Sequence, residues 1–346
     1  MEKVRLGRTG LLVSRIGFGG IPIQRASEEE AVAVVRRCLD LGINFFDTAT
    51  MYTTSEERIG KAIAGRREGL VLATKTISRS RDGVGRHLKQ SLERLDVEHI
   101  DLYQFHQVGT FDALEKVLDP MGPMGLLEDA KRSGTIGHIG FSSHSLDVAR
   151  EAVKTGRFET VMFPFNFVAR EAADELLLLT REHDVGFIAM KPLEGGMLDN
   201  VAIAFKYLLQ FPDVVPIPGI EKVHEIEEIA QILEGPLEMS EAETLEMQVL
   251  RDELGTRFCR RCDYCQPCPQ GIPISTVMQG RSVLKRATPE WFFGSWFADA
   301  QEKAADCTEC GECEERCPYN LPIREMIADL GEWFQEEKRR YRGDAS

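Results

Sequence analysis

The chain has 346 residues, with 42 Lys plus Arg against 56 Asp plus Glu, and a formal net charge of −14. That balance argues against nucleic acid and anionic membrane surfaces as partners. The opening MEKVRLGRTG has no apolar signal core and no apolar run reaches a membrane span, so the expectation is a cytoplasmic protein with one large and one small domain.

A hairpin is predicted over 4–14, turning at Arg8-Thr9-Gly10. Strands are predicted at 15–18, 43–46, 71–74, 100–105, 136–141, 161–164, 186–190 and 214–217. Amphipathic helical patterns alternate with them at 28–41, 55–64, 83–95, 122–133, 145–155, 170–183, 201–210 and 223–233. Glu56 and Glu57 fall in one first turn, where the helix dipole favours acids, and Gly42 follows a helix as a stop. Eight strands, each followed by a helix, imply an α/β fold of the closed (β/α)8 TIM-barrel type. An open doubly wound sheet would place a Gly-rich phosphate loop after its first strand, and Gly17-Phe18-Gly19-Gly20 does not match that fingerprint. Past about residue 254 the strand signals stop and cysteines and prolines cluster. The expected division is a barrel over 1–250 and an all-α, cysteine-rich domain over 251–346. The charged run 336–340 reads as a solvated helix end.

Eight of the nine cysteines carry the C-terminal reading. The first run is Cys259-x2-Cys262-x2-Cys265-x2-Cys268-Pro269 and the second is Cys307-x2-Cys310-x2-Cys313-x3-Cys317-Pro318. Three thiolates at three-residue steps, with a fourth before proline, is the bacterial ferredoxin spacing for 4Fe-4S clusters. Zinc ligands come as separated pairs, and a disulfide framework suits a small secreted domain, so two 4Fe-4S clusters are expected. In two-cluster ferredoxins the Cys before Pro serves the other cluster. By that rule Cys317 joins Cys259, Cys262 and Cys265, while Cys268 joins Cys307, Cys310 and Cys313; the shorter spacing before Cys268 departs from the pattern. Cys38 reads as a buried small apolar residue.

Four polar residues stand at or just past the ends of apolar strands: Asp47, Tyr52, Lys75 and His106. Strand C-termini are where a barrel carries its chemistry. Singly, each has a plain structural explanation, such as a solvated lysine or a capping aspartate. As a set they coincide with a wider resemblance. LGRTGLLVSRIGFGG, GINFFDTATMY with SEERIG, ATKT, QFH, IGHIGFSSH, PFNF and IAMKPL make roughly residues 1–235 similar to the aldo-keto reductases. The C-terminal part resembles the helical ferredoxin-like extension of one branch of that family.

The resemblance implies an NAD(P)H-dependent oxidoreductase that reduces a small carbonyl substrate. It casts Tyr52 as proton donor, Lys75 as its activator, Asp47 as the partner of Lys75 and His106 as the residue orienting the carbonyl. It also implies dinucleotide contacts from Gly20, Ser142, Ser143, Asn166, Lys191, Pro192 and Gly219. Ser143 departs from the usual Asn, Met162 from the frequent Gln, and Met190-Lys191 stands where an aromatic often stacks. Glu221 and Glu225 would repel a 2′-phosphate, which leans the expectation from NADP to NAD. Three roles stay open for the clusters: a staple for a small helical domain, a one-electron relay to a partner protein or substrate, or an electron-transfer subunit on an idle barrel. The aromatic stretch 291–297 is expected to pack as a helix face on the barrel, with shielding of the clusters or closure over the substrate mouth as the alternatives.

Overall fold

The computed structural model describes residues 1–285 and 287–343. It divides into two compact units, Met1–Glu243 and Thr244–Ser346. The last three residues of the expected C-terminal domain, 344–346, lie outside the described residues. Among the described residues no helix is long and apolar enough to cross a membrane.

The first unit opens with an antiparallel hairpin of β1 (Lys3–Arg5) and β2 (Leu12–Ser14). Its turn sits on Gly10, whose φ of 70° suits a residue without a side chain. Eight parallel strands follow: β3 (Phe18–Gly19), β4 (Phe45–Asp47), β5 (Val71–Thr76), β6 (Ile100–Phe105), β7 (Ile136–Ser142), β8 (Thr160–Pro164), β9 (Gly186–Met190) and β10 (Val214–Pro216). They are hydrogen-bonded in sequence order from β3 to β10. A parallel bridge between Gly19 and Gly219 joins the two edges. The Gly17 and Gly19 amides donate to the Pro216 and Pro218 carbonyls at 2.9 and 2.8 Å, which closes the barrel. A Cβ on Gly19 would sit 2.8 Å from the Pro218 oxygen, so this seam requires glycine.

The barrel interior is filled by Phe45, Val71, Ala73, Leu102, Met162, Ile188 and Val215, with Leu6 and Val13 of the hairpin packed against them. The hairpin therefore plugs one end of the cylinder. Burying Leu6 contributes roughly 1.5–3 kcal/mol. Around the strands lie α1 (Glu28–Asp40), α2 (Ser55–Ile63), α3 (Arg81–Leu95), α4 (Phe111–Leu118), α5 (Pro123–Arg132), α6 (Leu146–Lys154), α7 (Leu176–Glu182), α8 (Val201–Leu209) and α9 (Val223–Glu234). The helix starts follow local chemistry. Ser27 and Glu30 form a capping box on α1, and the Ser80, Thr110 and Ser145 hydroxyls cap α3, α4 and α6.

Four elements differ from the sequence expectation. The strand expected at 15–18 begins only at Phe18, because Arg15 turns aside and donates to the carbonyls of Val214, Phe211 and Leu209. The strand expected at 43–46 starts at Phe45, since the Asn44 side chain accepts from Ser14 N and donates to Leu12 O, tying it to the hairpin. The pattern at 170–183 is helical only over Leu176–Glu182. Helix α4 was not expected; it buries only Leu114 and Val117, too few positions for a clear period.

The second unit is helical, with α10 (Glu241–Gly255) spanning the division and the long helix Ile323–Arg342 near its end. Its core combines Ile272, Ile274, Val277, Leu321, Ile323, Ile327 and Leu330 with Cys265 and Cys317. The aromatic stretch 291–297 packs internally: Phe292 and Phe297 are buried with Phe334, while Trp296 is 62 % exposed.

Candidate active site and cysteine-lined cavities

Strand ends deliver three of the four expected acid–base residues, and one loop delivers the fourth. Asp47 is the last residue of β4, Lys75 lies near the end of β5 and His106 directly follows β6. Tyr52 stands in the loop after β4, where its amide donates to Ala49 O at 2.9 Å and its carbonyl accepts from Ser55 N at 2.7 Å. These bonds form a tight turn that carries the phenol back toward the strand ends. Thr53 holds a φ of 37°, an unusual conformation for a β-branched residue, directly beside the tyrosine.

The four side chains converge. Lys75 Nζ lies 2.5 Å from Asp47 Oδ1 and donates to Thr48 O at 2.6 Å. The same ammonium sits 5.1 Å from the centroid of the Tyr52 ring. The His106 ring meets that ring edge-on, with centroids 5.7 Å apart. Lys75 is fully buried, and Asp47 and His106 are 2 % and 7 % exposed. Burial opposes the charge on Lys75, but the Asp47 carboxylate and then the Tyr52 phenol raise its pKa above the ordinary lysine value. Burial pushes the Asp47 carboxyl upward, against the pull of Lys75 and of the Gln104 amide. A 2.5 Å pair with two further hydrogen bonds keeps the lysine charged, since a buried ion pair is tolerated only when its remaining bonds are made.

Sequence reasoning missed Gln104, whose Nε2 donates to Asp47 Oδ2 at 3.1 Å from a fully buried position. The available signal was one amide near the end of the strand Ile100–Phe105. It also missed the layer behind the lysine. Glu56 of α2, 1 % exposed, accepts from Thr74 Oγ1 at 2.7 Å and pairs with Arg94 at 3.4 Å.

The expected dinucleotide contacts are placed unevenly. Gly20 donates to Asp47 O at 2.8 Å, and a Cβ there would approach Ser55 Oγ to 2.7 Å, so the β3 end runs tight against the site. Gly219 is exposed beside the closing seam. Ser142 Oγ accepts from Gln107 N at 2.9 Å, and Ser143 Oγ accepts from Ser145 N at 3.1 Å, so both hydroxyls organise the loops at their strand ends. Asn166 is placed differently from the expectation. Its Nδ2 donates to Lys191 O and Glu194 Oε2 at 3.0 and 2.7 Å. Its Oδ1 accepts from the amides of Val168 and Ala169. With both donors and both lone pairs used, it braces the β8 and β9 loops. Lys191 pairs with the buried Glu194 at 3.1 Å, and Pro192 is buried beside it.

The eight C-terminal cysteines surround two cavities. One is lined by Cys259, Cys262, Cys265 and Cys317, and the other by Cys268, Cys307, Cys310 and Cys313, with Cys265 on the shared wall. The two cavities are similar in size and lining, which suits two groups of one kind. Among the described residues no three His, Cys, Asp or Glu side chains converge on a point that would hold one metal ion. Rings of sulfur around a cavity fit a multi-iron cluster. Burial, with neighbouring Cys259 and Asp263, pushes the Cys265 thiol up to about 12, and burial also raises Cys262 and Cys313. Such thiols give up their protons only to bound metal. Cys38 is fully buried in α1 and belongs to the core.

A closed parallel barrel with a buried Asp–Lys pair beside a loop tyrosine, and a helical unit with two cysteine-lined cavities, define the class of protein: an oxidoreductase barrel with an iron–sulfur domain. Residues 15–202 match the Aldo/keto reductase family and residues 258–322 match the 4Fe-4S dicluster domain. The chain belongs to the aldo/keto reductase family and carries a C-terminal 4Fe-4S dicluster domain. It is 35 % identical over 234 residues to the uncharacterized oxidoreductase YrpG of Bacillus subtilis, covering 59 % of this chain and 70 % of that one. It is 32 % identical over 218 residues to L-galactose dehydrogenase of Arabidopsis thaliana, covering 57 % and 67 %. The holo form of aldo-keto reductase AKR11C1 from Bacillus halodurans superimposes with a TM-score of 0.64 at 27 % identity, over 72 % of this chain and 96 % of that one.

Proposed function

We propose that the chain reduces the carbonyl of a small aldehyde or ketone to an alcohol with NAD(P)H, and that its C-terminal unit holds two 4Fe-4S clusters. The observation that carries this reading is the fully buried Lys75 ammonium, 2.5 Å from Asp47 and 5.1 Å from the Tyr52 ring centroid. A bound nicotinamide supplies the hydride. The chain's own residues manage the charge and the proton. Negative charge grows on the carbonyl oxygen as it is reduced, and Tyr52 protonates it. A free phenol, with a pKa of about 10, gives up its proton reluctantly near neutral pH. The ammonium beside it stabilises the phenolate and lowers that resistance. Asp47 and the Thr48 carbonyl hold the ammonium in place, and the Gln104 amide holds Asp47. His106 offers the same oxygen a second hydrogen bond, of a kind whose loss costs about 2.7–4 kcal/mol of barrier.

Glu225 supports NADH as the cofactor. Its carboxylate accepts from the Glu221 and Lys222 amides, at 2.7 and 2.9 Å, at the start of α9. Helix-start amides are the groups that would receive a phosphate, and here an anion already holds them.

Tyr52→Phe tests the assignment. We expect kcat/KM to fall at least ~100-fold while dinucleotide affinity, followed by fluorescence quenching, stays the same. A variant that keeps its rate removes Tyr52 as the donor. A second reading, in which the clusters pass single electrons to a partner protein, is favoured by the exposure of Cys310 and by the shared wall at Cys265. It requires clusters reduced by a low-potential donor to be reoxidised by that partner.

A further inference from the structure

Arg79 follows β5 and has no carboxylate within ion-pair distance among the described residues. Its Nη1 donates to Ile77 O and Ser78 O at 3.0 and 3.3 Å, and its Nη2 to His106 O and Gln107 O at 2.6 and 3.0 Å. These four bonds lash the β5 and β6 loops together and set the guanidinium against the backbone of His106. Carbonyl dipoles satisfy its hydrogens but cancel none of its charge. Burial lowers its pKa, yet an arginine stays charged in a protein.

The surroundings sharpen the point. The loops after β4, β5, β6 and β7 run over 48–54, 77–80, 106–110 and 143–145. None of these segments contains Asp or Glu; their one permanent charge is Arg79, accompanied by His106 and His144. A chain with a net charge of −14 therefore keeps acids out of the loops that flank Tyr52 and His106. The acid among the four site residues, Asp47, is paired with Lys75.

Resting on the reductase reading above, we infer that the substrate is an anionic carbonyl compound, an aldehyde or ketone bearing a negatively charged group, and that Arg79 determines this specificity. Its uncompensated charge attracts the anionic end of the substrate while Tyr52 and His106 address the carbonyl. As Arg79 also ties two loops together, a purely structural role would lower the rates for charged and neutral substrates alike.

The test compares 4-carboxybenzaldehyde with its neutral methyl ester, methyl 4-formylbenzoate, on anaerobic cluster-loaded enzyme. In Arg79→Gln the ratio of kcat/KM for acid over ester should fall about tenfold, chiefly through KM for the acid, as expected for a charge felt across several ångströms of partly solvated protein. Arg79→Lys should keep the ratio within about threefold of wild type, because it keeps the charge. In the wild type, raising ionic strength from about 0.01 to 0.5 M should lower the ratio through screening. A ratio that is the same in Arg79→Gln and wild type overturns the inference. If Arg79→Gln does not fold, a ratio insensitive to salt in the wild type overturns it instead. Reduction of both aldehydes without any such dependence defeats this inference alone; reduction of neither, with any carbonyl tried, defeats the reductase reading beneath it.

Discussion

Lys75→Met separates what the buried ion pair does for the fold from what it does for the reaction. Lys75 is fully buried, and its removal leaves Asp47 with only the Gln104 amide at 3.1 Å. Breaking one side of a buried pair costs about 3–5 kcal/mol. In a unit of this size each kcal/mol lowers Tm by about 2–4 °C, so Tm should fall by roughly 6–20 °C. Removing both charges, in Asp47→Asn/Lys75→Met, should restore most of that stability and none of the activity, which should stay down by ~10²–10⁴. The pH dependence carries a definite sign. In the wild type the Lys75 pKa lies above its ordinary 10.5, so the pair's contribution is present below that pH and is lost as pH rises through the folded value. In Lys75→Met nothing from the lysine opposes the burial that raises Asp47. A carboxyl with a raised folded pKa stabilises most in acid and loses that contribution as pH rises. The single variant should therefore regain stability on going from about pH 7 to pH 5, relative to the wild type over the same range. Thermal unfolding followed by circular dichroism reads both effects. A single variant as stable as the double, or one indifferent to acid, would refute a charged pair at the heart of the barrel.

Three further outcomes are expected. Cys268→Ala and Cys310→Ala should each leave about four of eight irons, and so should their double variant, because both line one cavity; Cys268→Ala/Cys262→Ala, which touches both cavities, should leave none, as read by iron analysis and electron paramagnetic resonance. Glu225→Ala should raise the NADPH over NADH ratio of kcat/KM about tenfold by removing a like charge from the 2′-phosphate position, and an unchanged ratio would remove Glu225 from cofactor choice. Glu159 meets burial that raises its pKa, but hydrogen bonds from His138, Lys131 and the Ile139 amide bring it down to about 2 from 4.5. Its contribution is thus present above pH 4.5 and lost as pH falls toward 2, and Glu159→Gln should flatten the acid limb of the stability curve in that window.

Much of the barrel was legible because its strands are apolar runs bounded by helix signals, and because the candidate site residues fall at or just past their ends. Position marked Asp47, Lys75 and His106 as candidates, and the family resemblance supplied their roles. What stayed hidden was set by tertiary contacts. Nothing local marks Arg15 as a residue that leaves the strand to reach carbonyls some two hundred positions away. Nothing local reveals that Asn166 spends every hydrogen bond on its own loops. Glu56 read only as a first-turn acid and Gln104 carried no reading, because the partners that define them are distant in sequence. Arg79 carries no local signal; the four carbonyls around it and the lack of acids in the neighbouring loops give it meaning.

The two proposed roles for the clusters, staple and relay, do not exclude each other. Cys265 and Cys317 are not surface ligands hung on a finished fold; they pack with Ile272, Ile274, Val277, Leu321 and Ile323 in the core of the C-terminal unit. Whatever fills the two cavities replaces the apolar centre that so small a helical unit could not otherwise assemble. Removing iron therefore leaves buried thiols around empty space and should loosen the helices themselves. Loss of activity in iron-free protein is then no evidence for electron transfer, because a structural defect predicts it as well. The decisive measurement keeps the clusters in place and varies only their electrons, by comparing carbonyl reduction with both clusters oxidised and both reduced. Equal rates would assign the clusters to the fold; unequal rates would require that single electrons reach the reaction.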